Sequence, residues 1–417
     1  MPSEPARSTT VRIDHDLPLV EIGARSGLLW SRDGFVLAGI GEATRVRFDR
    51  PGGFGPAGLA LSELAGPTEL DVPGVGPVAF GALPFDPDRA GELVVPEVIL
   101  GLNQTGQRWL TVVGDESDDT SGLVSAAMAR IDSLLQPGTD PPEPTRYDLR
   151  SVLSPDRWRD DVVGAARQRI RRGDLDKAVL AREMVLTTDR PLSMAAIVNR
   201  LDSVFPSAAL FVVDRFVGAS PELLVGRNED VVRAHPLAGT APRSSDPAVD
   251  QRRLGALLAS EKDRWEHRIT IDWLLDTLLP FCSYVDAEPE PSIVTLANVH
   301  HLGTLVEGRL SQPAASILEL VAALHPTPAV GGSPQKDGLA LIAELEQAER
   351  HRYGGPTGWV DHRGNGEFAV AIRSAQIGDL EARFFAGVGV VADSDPRAEL
   401  EETRAKLKAM LGALIVP

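Results

Sequence analysis

Hydrophobic and polar positions change their period along the second half of the chain. The run "KAVLAREMVLTT" at 177–188 is rich in apolar and β-branched residues, which predicts a strand. The segment 154–172 opens on Ser-Pro and ends before Gly173, and this combination predicts a helix. A second helical pattern covers 253–279 and predicts one long helix. Helices and strands therefore alternate in this part of the chain.

Two further segments have the pattern of paired strands. Residues 208–227 predict two strands around a polar turn. Residues 368–377 and 380–391 predict a hairpin whose turn is Gly378-Asp379. Hairpins interleaved with helices predict an α+β fold with a largely antiparallel sheet.

Proline content predicts where the chain divides. Residues 136–146 contain four prolines and follow an amphipathic stretch, which predicts an extended linker. The interpretation is a disordered tail at 1–10, an N-terminal portion at 11–146 that ends in this linker, and a catalytic portion at 147–417. The tail is polar and lacks the apolar core of a signal peptide.

Composition limits the classes of function. The 417 residues carry a formal net charge of −17, which argues against a general nucleic-acid or anionic-membrane surface. Cys282 is the only cysteine, so an intrachain disulfide is excluded. No apolar run reaches the roughly 18 residues of a spanning helix, and we expect a soluble, cytoplasmic monomer. His300 and His301 would point to opposite sides of a strand, so no histidine-rich metal site is expected.

Two acidic groups on predicted helices are candidates for a cation site. Glu399, Glu402 and Lys406 follow one another at i, i+3 and i+7, and Asp263 and Glu266 at i, i+3. One interpretation is a solvated helix face with a weak Glu402–Lys406 pair. The other is a set of carboxylates for a hard cation, beside an ammonium group for an anion.

Four other positions carry candidate chemistry. Lys177 begins the apolar strand, where a lysine either blunts an edge or, in a closed site, becomes a neutral base because burial disfavours its charged form. Glu222 follows Ser-Pro after an apolar strand and is either a turn residue in water or a partly buried carboxyl group. Gly239-Thr240 offers backbone N–H groups and a hydroxyl. Arg373 interrupts an apolar run and is expected to pair with a protein or substrate carboxylate.

Together and in this order, the motifs resemble those of the chorismate-utilising enzymes. This family includes isochorismate, salicylate and anthranilate synthases and aminodeoxychorismate synthase. The motifs that carry the resemblance lie between Arg171 and Leu414 and read "GDLDKAVLAR", "GASPELLVGR", "HPLAGTAPR", "SEKDRWEH", "VHHLGTLVEGRL", "LHPTPAVGGSP", "YGGPTGWVD", "FAVAIRSA" and "AGVGVVADSDPRAELEETRAK".

The resemblance implies a single large α+β unit of packed antiparallel sheets with helices outside. It also implies Mg²⁺ as cofactor and chorismate as substrate. It assigns Glu266 and Glu402 to the metal, with Asp263 and Glu399 in an outer shell. Residues expected at the substrate are Gly239, Thr240, Ala329, Arg373, Gly387, Gly389 and Lys406.

Three positions favour one activity within the family. Members that add water carry a lysine at the position of Lys177, and Ala238 replaces a lysine that is frequent in aminodeoxychorismate synthases. Ala329 matches the small residue of isochorismate synthases, where salicylate synthases tend to have threonine. The resemblance therefore predicts isochorismate formation, which serves menaquinone or siderophore synthesis. Salicylate synthase, anthranilate synthase and a non-catalytic chorismate-binding homologue remain as alternatives.

The resemblance also implies a mechanism. Neutral Lys177 takes a proton from water, and the water attacks C2 of chorismate. The double bonds shift, and Glu222 protonates the departing C4 hydroxyl group. Mg²⁺ polarises the C1 carboxylate. This assignment requires a site that favours neutral Lys177 and protonated Glu222.

Overall fold

The computed structural model describes residues 7–48, 55–66, 68–114, 120–138 and 140–415. Within them, the strands in chain order are β1 (Arg7–Arg12), β2 (Leu28–Arg32), β3 (Phe35–Ile40), β4 (Thr44–Phe48), β5 (Val78–Ala82), β6 (Gly91–Val95), β7 (Val98–Leu102), β8 (Arg108–Gly114), β9 (Tyr147–Ser151), β10 (Lys177–Thr188), β11 (Ala209–Val213), β12 (Phe216–Ser220), β13 (Leu223–Asn228), β14 (Val231–His235), β15 (Leu237–Pro242), β16 (Cys282–Ala287), β17 (Ser292–Thr295), β18 (Val299–Gly303), β19 (Val306–Leu310), β20 (Gly332–Ser333), β21 (Pro356–Asp361), β22 (Gly366–Val370), β23 (Ser374–Ile377) and β24 (Glu381–Val390).

The helices of the described residues are α1 (Leu19–Ser26), α2 (Gly55–Glu63), α3 (Thr120–Leu134), α4 (Pro155–Arg157), α5 (Gly164–Arg171), α6 (Met194–Val204), α7 (Pro247–Ala259), α8 (Glu261–Leu278), α9 (Ile317–Leu324), α10 (Gln335–Leu345) and α11 (Pro396–Leu414). A π-helical segment, Trp158–Val163, joins α4 to α5, and a 3₁₀ turn, Leu279–Phe281, follows α8. None of these helices is long and apolar enough to cross a membrane.

The described strands form two large sheets and one small one. The first sheet has the order β1-β8-β7-β3-β2-β11-β12-β23-β24-β10-β20, with β9 also paired to β10. The second has the order β16-β19-β14-β13-β22-β21-β5-β6-β4, and the third is β15-β18-β17. The pairs among them are antiparallel, such as β10 with β24 and β21 with β22. The predicted α+β class is confirmed.

Both large sheets contain strands from the two sides of the proline-rich segment. In the first sheet β2 pairs with β11, and in the second β5 pairs with β21. The sheets also pack face to face, because the Phe35 ring on β3 stacks on Trp359 of β21 with centroids 5.2 Å apart. The two portions therefore share one core, while α1, α6 and α11 cover the outer face of the first sheet.

The beginning of the chain differs from the expectation of a tail at 1–10. Residues 7–12 form β1, which pairs with β8, so the expectation is wrong for residues 7–10. Residues 1–6 lie outside the described part of the chain. Thr9, Thr10 and Val11 explain the difference, because β-branched residues suit a strand even where polar character resembles a tail.

The helix expected at 253–279 is two helices. Ser260 ends α7 and begins α8, and its hydroxyl accepts the backbone N–H of Asp263 at 3.2 Å. A serine hydroxyl competes for backbone N–H groups in this way, so it favours a helix start over a helix interior. The break turns α8 so that its first turns face β15.

The strands expected around 208–227 and 368–377 are also divided. Residues 208–227 supply β11, β12 and most of β13, because the chain leaves the first sheet after Ser220 and enters the second at Leu223. Residues 368–377 lie in β22 of the second sheet and β23 of the first. Arg373 stands at this crossing with a φ of 51°, so it does not lie within a continuous strand as expected. Residues 368–372 are all apolar and apolar residues return at 375 and 377, so the sequence pattern does not mark the crossing.

Candidate active site

A cavity of about 720 Å³, counted with its opening to solvent, lies where β10, β15 and β24 meet α8 and α11. Every residue predicted for the site lines it, although these residues come from distant parts of the chain. They are Lys177, Glu222, Gly239, Thr240, Asp263, Glu266, Ala329, Arg373, Gly387, Gly389, Glu399, Glu402 and Lys406.

Lys177 points into this cavity from the first position of β10. Its side chain is fully buried, which excludes the interpretation of an edge lysine in water. Its Nζ lies 2.8 Å from Oε1 of Glu266 on α8. Burial works to raise the pKa of Glu266, but the positive charge of Lys177 outweighs it, and the pKa lies below its usual value.

Gly389 on β24 provides the room for this pair. A Cβ at this position would lie 2.2 Å from Oε1 of Glu266 and 3.0 Å from Cε of Lys177. Real Cβ atoms do not approach other atoms so closely, so with any other residue here the ends of these two side chains would have to move or β24 would have to shift. The position of the ion pair against β24 therefore favours glycine.

Two further glutamates on α11 each have a lysine partner. Nζ of Lys406 lies 2.6 Å from Oε1 of Glu402 and donates a hydrogen bond to the backbone oxygen of Gly387 at 2.9 Å. Nζ of Lys262 donates to Oε1 of Glu399 at 3.3 Å. Lys262 was not predicted as a site residue. The sequence feature that could have revealed it is its position between Glu261 and Asp263, on the first turn of α8.

The acidic residues crowd one wall of the cavity. Burial, together with the negative charge of Glu402, raises the pKa of Glu399 to about 7. Burial, and then the charge of Glu266, also raises the pKa of Asp263. Glu399 is only 4% exposed, so the interpretation of a solvated helix face is wrong for this residue. A local excess of carboxylates is the setting in which a divalent cation is favourable.

The carboxylates of the cavity are oxygen donors of the kind that Mg²⁺ prefers. Within the described residues, no three His, Cys, Asp or Glu side chains converge as a complete metal site. Mg²⁺ is commonly held by one or two carboxylates with water and substrate oxygens as its other ligands, so a full protein cage is not needed. Glu266 and Glu402 line the same cavity and offer hard oxygen donors, with Asp263 and Glu399 beside them. The residues present therefore fit Mg²⁺.

Glu222 lies at the bend between β12 and β13, where the chain changes sheets. Its backbone N–H donates to Oγ of Ser220 at 3.2 Å, and Ser220 in turn donates to the backbone oxygen of Val370 at 2.6 Å. The carboxyl group is buried, and this burial raises its pKa to about 7 although the backbone of Leu237 and the charge of Lys177 act in the opposite direction. A carboxyl group of this kind is protonated for much of the time near neutral pH and can donate a proton.

Arg373 reaches the cavity from the crossing between the two large sheets. No carboxylate of the described residues lies within ion-pair distance of its guanidinium group, so the expected protein partner is not found there. Its Nη2 lies instead 3.0 Å from Nε2 of His301 on β18. His301 was missed by the sequence analysis, which treated it only as a possible metal ligand. The pairing of β15 with β18, which sets His301 opposite Thr240, is not readable from the pattern.

Tyr353 is a second residue that the sequence did not reveal. It lines the cavity, stacks on Phe385 with centroids 5.1 Å apart and is buried, which raises the pKa of its phenol. Ala329 lies in the loop before β20 and also lines the cavity.

Comparison with known proteins gives a consistent result. The family model described as "Chorismate binding enzyme" matches residues 21–415. The isochorismate synthase DhbC of Bacillus subtilis is 36% identical over 353 residues, which cover 81% of each chain. The putative isochorismate synthase MenF of Mycobacterium tuberculosis is 38% identical over 356 residues, 82% of this chain and 87% of that protein. A crystal structure of a putative 2,3-dihydroxybenzoate-specific isochorismate synthase, DhbC from Bacillus anthracis, superposes with a TM-score of 0.80 at 30% identity and covers 95% of this chain and 98% of that one.

Proposed function

The chain belongs to the family of chorismate binding enzymes, and from that premise we propose that it is an isochorismate synthase, an isomerase that converts chorismate to isochorismate with Mg²⁺. The observation that carries the proposal is the meeting of Lys177 and Glu222 in one cavity with the acidic residues of α8 and α11. Relatives named as isochorismate synthases over four fifths of the chain support the same activity.

In this proposal the carboxylates and the cations of the cavity have separate tasks. Glu266 and Glu402 would hold Mg²⁺, and the bound ion would supply a positive charge that fixes and polarises a substrate carboxylate. Arg373 and Lys406 attract the carboxylates of the dianion, since both are positively charged groups that line the cavity and are largely buried. Thr240 offers its hydroxyl group to the substrate.

The hydration step uses two side chains. Lys177 must first leave its ion pair with Glu266 and lose its proton. In its neutral form it then takes a proton from a water molecule that attacks C2 of the ring. Glu222, in its protonated form, gives its proton to the hydroxyl group that leaves C4. The burial of Glu222 supports this role, because it keeps the carboxyl group protonated up to about pH 7.

A product assay tests the proposal. Purified protein is incubated with chorismate and Mg²⁺, and the products are identified by mass and absorbance. We expect isochorismate, loss of activity with EDTA, and a loss of more than about a hundredfold in rate for Lys177→Ala. The control Lys336→Ala removes an exposed lysine on α10 and should leave the rate unchanged.

Other outcomes of this assay would contradict the proposal. Salicylate with pyruvate would indicate a salicylate synthase, and anthranilate formed with ammonia would indicate an anthranilate synthase. Chorismate binding without any turnover would indicate a non-catalytic homologue. Full activity after thorough removal of metal would exclude the Mg²⁺ assignment.

A further inference from the structure

Arg373 is held in an unusual way for a buried arginine. It is 6% exposed, it adopts a positive φ, and its Nε is buried without a hydrogen-bond partner. Burial of an unpaired guanidinium group is costly, and the group has several rotatable bonds through which it could turn away. Its one hydrogen bond to a side chain among the described residues is the contact of Nη2 with His301.

The donor and acceptor roles in this contact are fixed by chemistry. A guanidinium group has only donors, so Nε2 of His301 must accept and carries no proton. The proton of the neutral ring then lies on Nδ1, which faces the backbone oxygen of Gly239 at 3.3 Å and Oγ1 of Thr240 at 3.0 Å. His301 therefore connects β15 to Arg373 through its two ring nitrogens.

A second proton on His301 would break this connection. Burial, followed by the charges of Arg373 and Lys406, holds the pKa of His301 well below its usual value, so the ring stays neutral. A neutral acceptor also leaves the charge of Arg373 uncompensated. An aspartate or glutamate in the same place would form an ion pair and compete with an anionic ligand.

We propose that His301 is a positioning residue, which holds the guanidinium group of Arg373 toward the cavity as a neutral acceptor and so sets the affinity for the substrate carboxylate. The inference deepens the proposed function and rests on it for the identity of the ligand. His301 acts through Arg373 and transfers no proton in the reaction.

Three substitutions of His301 separate its two nitrogens. Glutamine places an acceptor near the position of Nε2, asparagine reaches only the position of Nδ1, and leucine removes both. We expect H301L and H301N to raise KM for chorismate about tenfold or more, as for loss of a hydrogen bond to a charged group, with kcat within about threefold of wild type. We expect H301Q to stay within about threefold of wild type in both constants.

The neighbouring histidine is the matched control. His300 is buried to a similar degree, but it faces Asp250 and Thr295 and does not line the cavity. H300Q should therefore leave KM and kcat unchanged. Circular dichroism and the thermal midpoint check that each variant is folded. If H301L does not fold, the comparison of H301Q with H301N still tests the positioning role of His301.

Calorimetry separates this inference from the proposed function. Chorismate is titrated with Mg²⁺ present into the Lys177→Ala protein with and without H301N. A larger Kd with H301N supports the positioning role of His301. This holds even if the wild-type protein forms no isochorismate, because that result would overturn only the proposed function. An unchanged Kd and KM in H301N and H301L would overturn the inference.

A double-mutant cycle completes the test. If His301 acts only through Arg373, adding H301L to R373L should change KM by less than about twofold. Independent effects of the two substitutions would overturn the inference. A fall of kcat in H301L at unchanged KM, with loss of one limb of the pH profile, would also overturn it, because that is the behaviour of a proton-transfer group.

Discussion

Three carboxylates of the site have a lysine partner. Glu266, Glu399 and Glu402 each lie against a lysine, whereas Asp263 has no ion pair within the described residues. A divalent cation together with a dianion adds no net charge to this set, whereas either one alone does. The arrangement supports a site in which metal and substrate favour each other's binding.

Close packing around the Lys177–Glu266 pair makes Gly389 sensitive to the smallest substitution. Gly389→Ala places a methyl group 2.2 Å from Oε1 of Glu266, so the pair must separate or β24 must shift. We expect the rate with chorismate to fall by about tenfold or more, and the Mg²⁺ concentration for half-maximal activity to rise.

Gly412→Ala is the control for this substitution. A Cβ there would meet nothing within 4 Å, and the position lies in α11, where alanine favours the helix. It should keep full activity and gain a fraction of a kcal/mol in stability. Equal activity of the two variants would contradict the steric argument at Gly389.

The pH dependence of turnover should report Glu222. A proton donor must be protonated before the reaction, and the pKa of this carboxyl group is raised to about 7 by burial. We therefore expect kcat to fall as the pH rises through about 7, by about tenfold per unit. Steady-state rates from pH 5.5 to 9 measure the profile.

The pKa of Glu399 lies in the same range, so a second variant is needed to assign the fall of kcat at alkaline pH to Glu222. Glu222→Gln cannot donate a proton, and its residual rate should lose the fall above pH 7. If wild-type kcat stays flat up to pH 8.5, or if Glu222→Gln keeps the same alkaline limb, the assignment of Glu222 as the acid is wrong.

At the scale of elements, the sequence predicted strands and helix starts better than it predicted breaks. The strand at 177–188 and the helix start at Ser154 are confirmed, because hydrophobic runs and capping residues are local signals. The crossing at Arg373 was missed, since apolar residues lie on both sides of it. The partnership of His301 with Arg373 was missed for a related reason: strand register depends on contacts far apart in sequence.

Ser260 shows how one such break serves the site. It caps α8, which starts at Glu261, and the first turn of this helix carries Lys262 and Asp263 into the cavity. Ser260→Ala removes the acceptor for the N–H of Asp263, and we expect the free energy of unfolding to fall by about 1 kcal/mol. Because the frayed turn borders Glu266, a proposed metal ligand, the half-saturating Mg²⁺ concentration should also rise.

A cap far from the cavity separates these two effects. Ser316 begins α9 and accepts the N–H of Glu319 at 3.3 Å in the same manner. Ser316→Ala should cost a similar stability in urea unfolding without changing the Mg²⁺ requirement. An equal rise in both variants would show that the change reflects general destabilisation and not the position of α8.

At the scale of the whole molecule, the proline-rich segment joins two lengths of chain that share both large sheets. Residues 135–138 and 140–146 contain no helix or strand. Asp140 nevertheless contacts Arg25 on α1 and Ser193 before α6, so the segment is attached to the surface. The expectation of a monomer stays a prediction.

Because the two portions share both large sheets, strand pairing between them stabilises the fold more than the covalent link at 136–146 does. Leu29 and Trp30 of β2 and Phe80 of β5 are fully buried in cores to which both portions contribute. A protease site inserted at the exposed residues 136–138 and then cleaved should leave both fragments together on gel filtration, with at least half of the activity. The hydrophobic area between the portions is too large to expose without unfolding.

Separate expression gives the opposite expectation for the same reason. Residues 147–417 alone lack β2, β3 and β5, so both large sheets lose interior neighbours and expose open edges. We expect this fragment to be insoluble or unfolded by circular dichroism, and to regain turnover only when refolded from urea with residues 1–146. A folded, active 147–417 fragment, or cleaved halves that separate without denaturant, would show that the catalytic portion is an independent domain, and the interpretation of one shared core would be wrong.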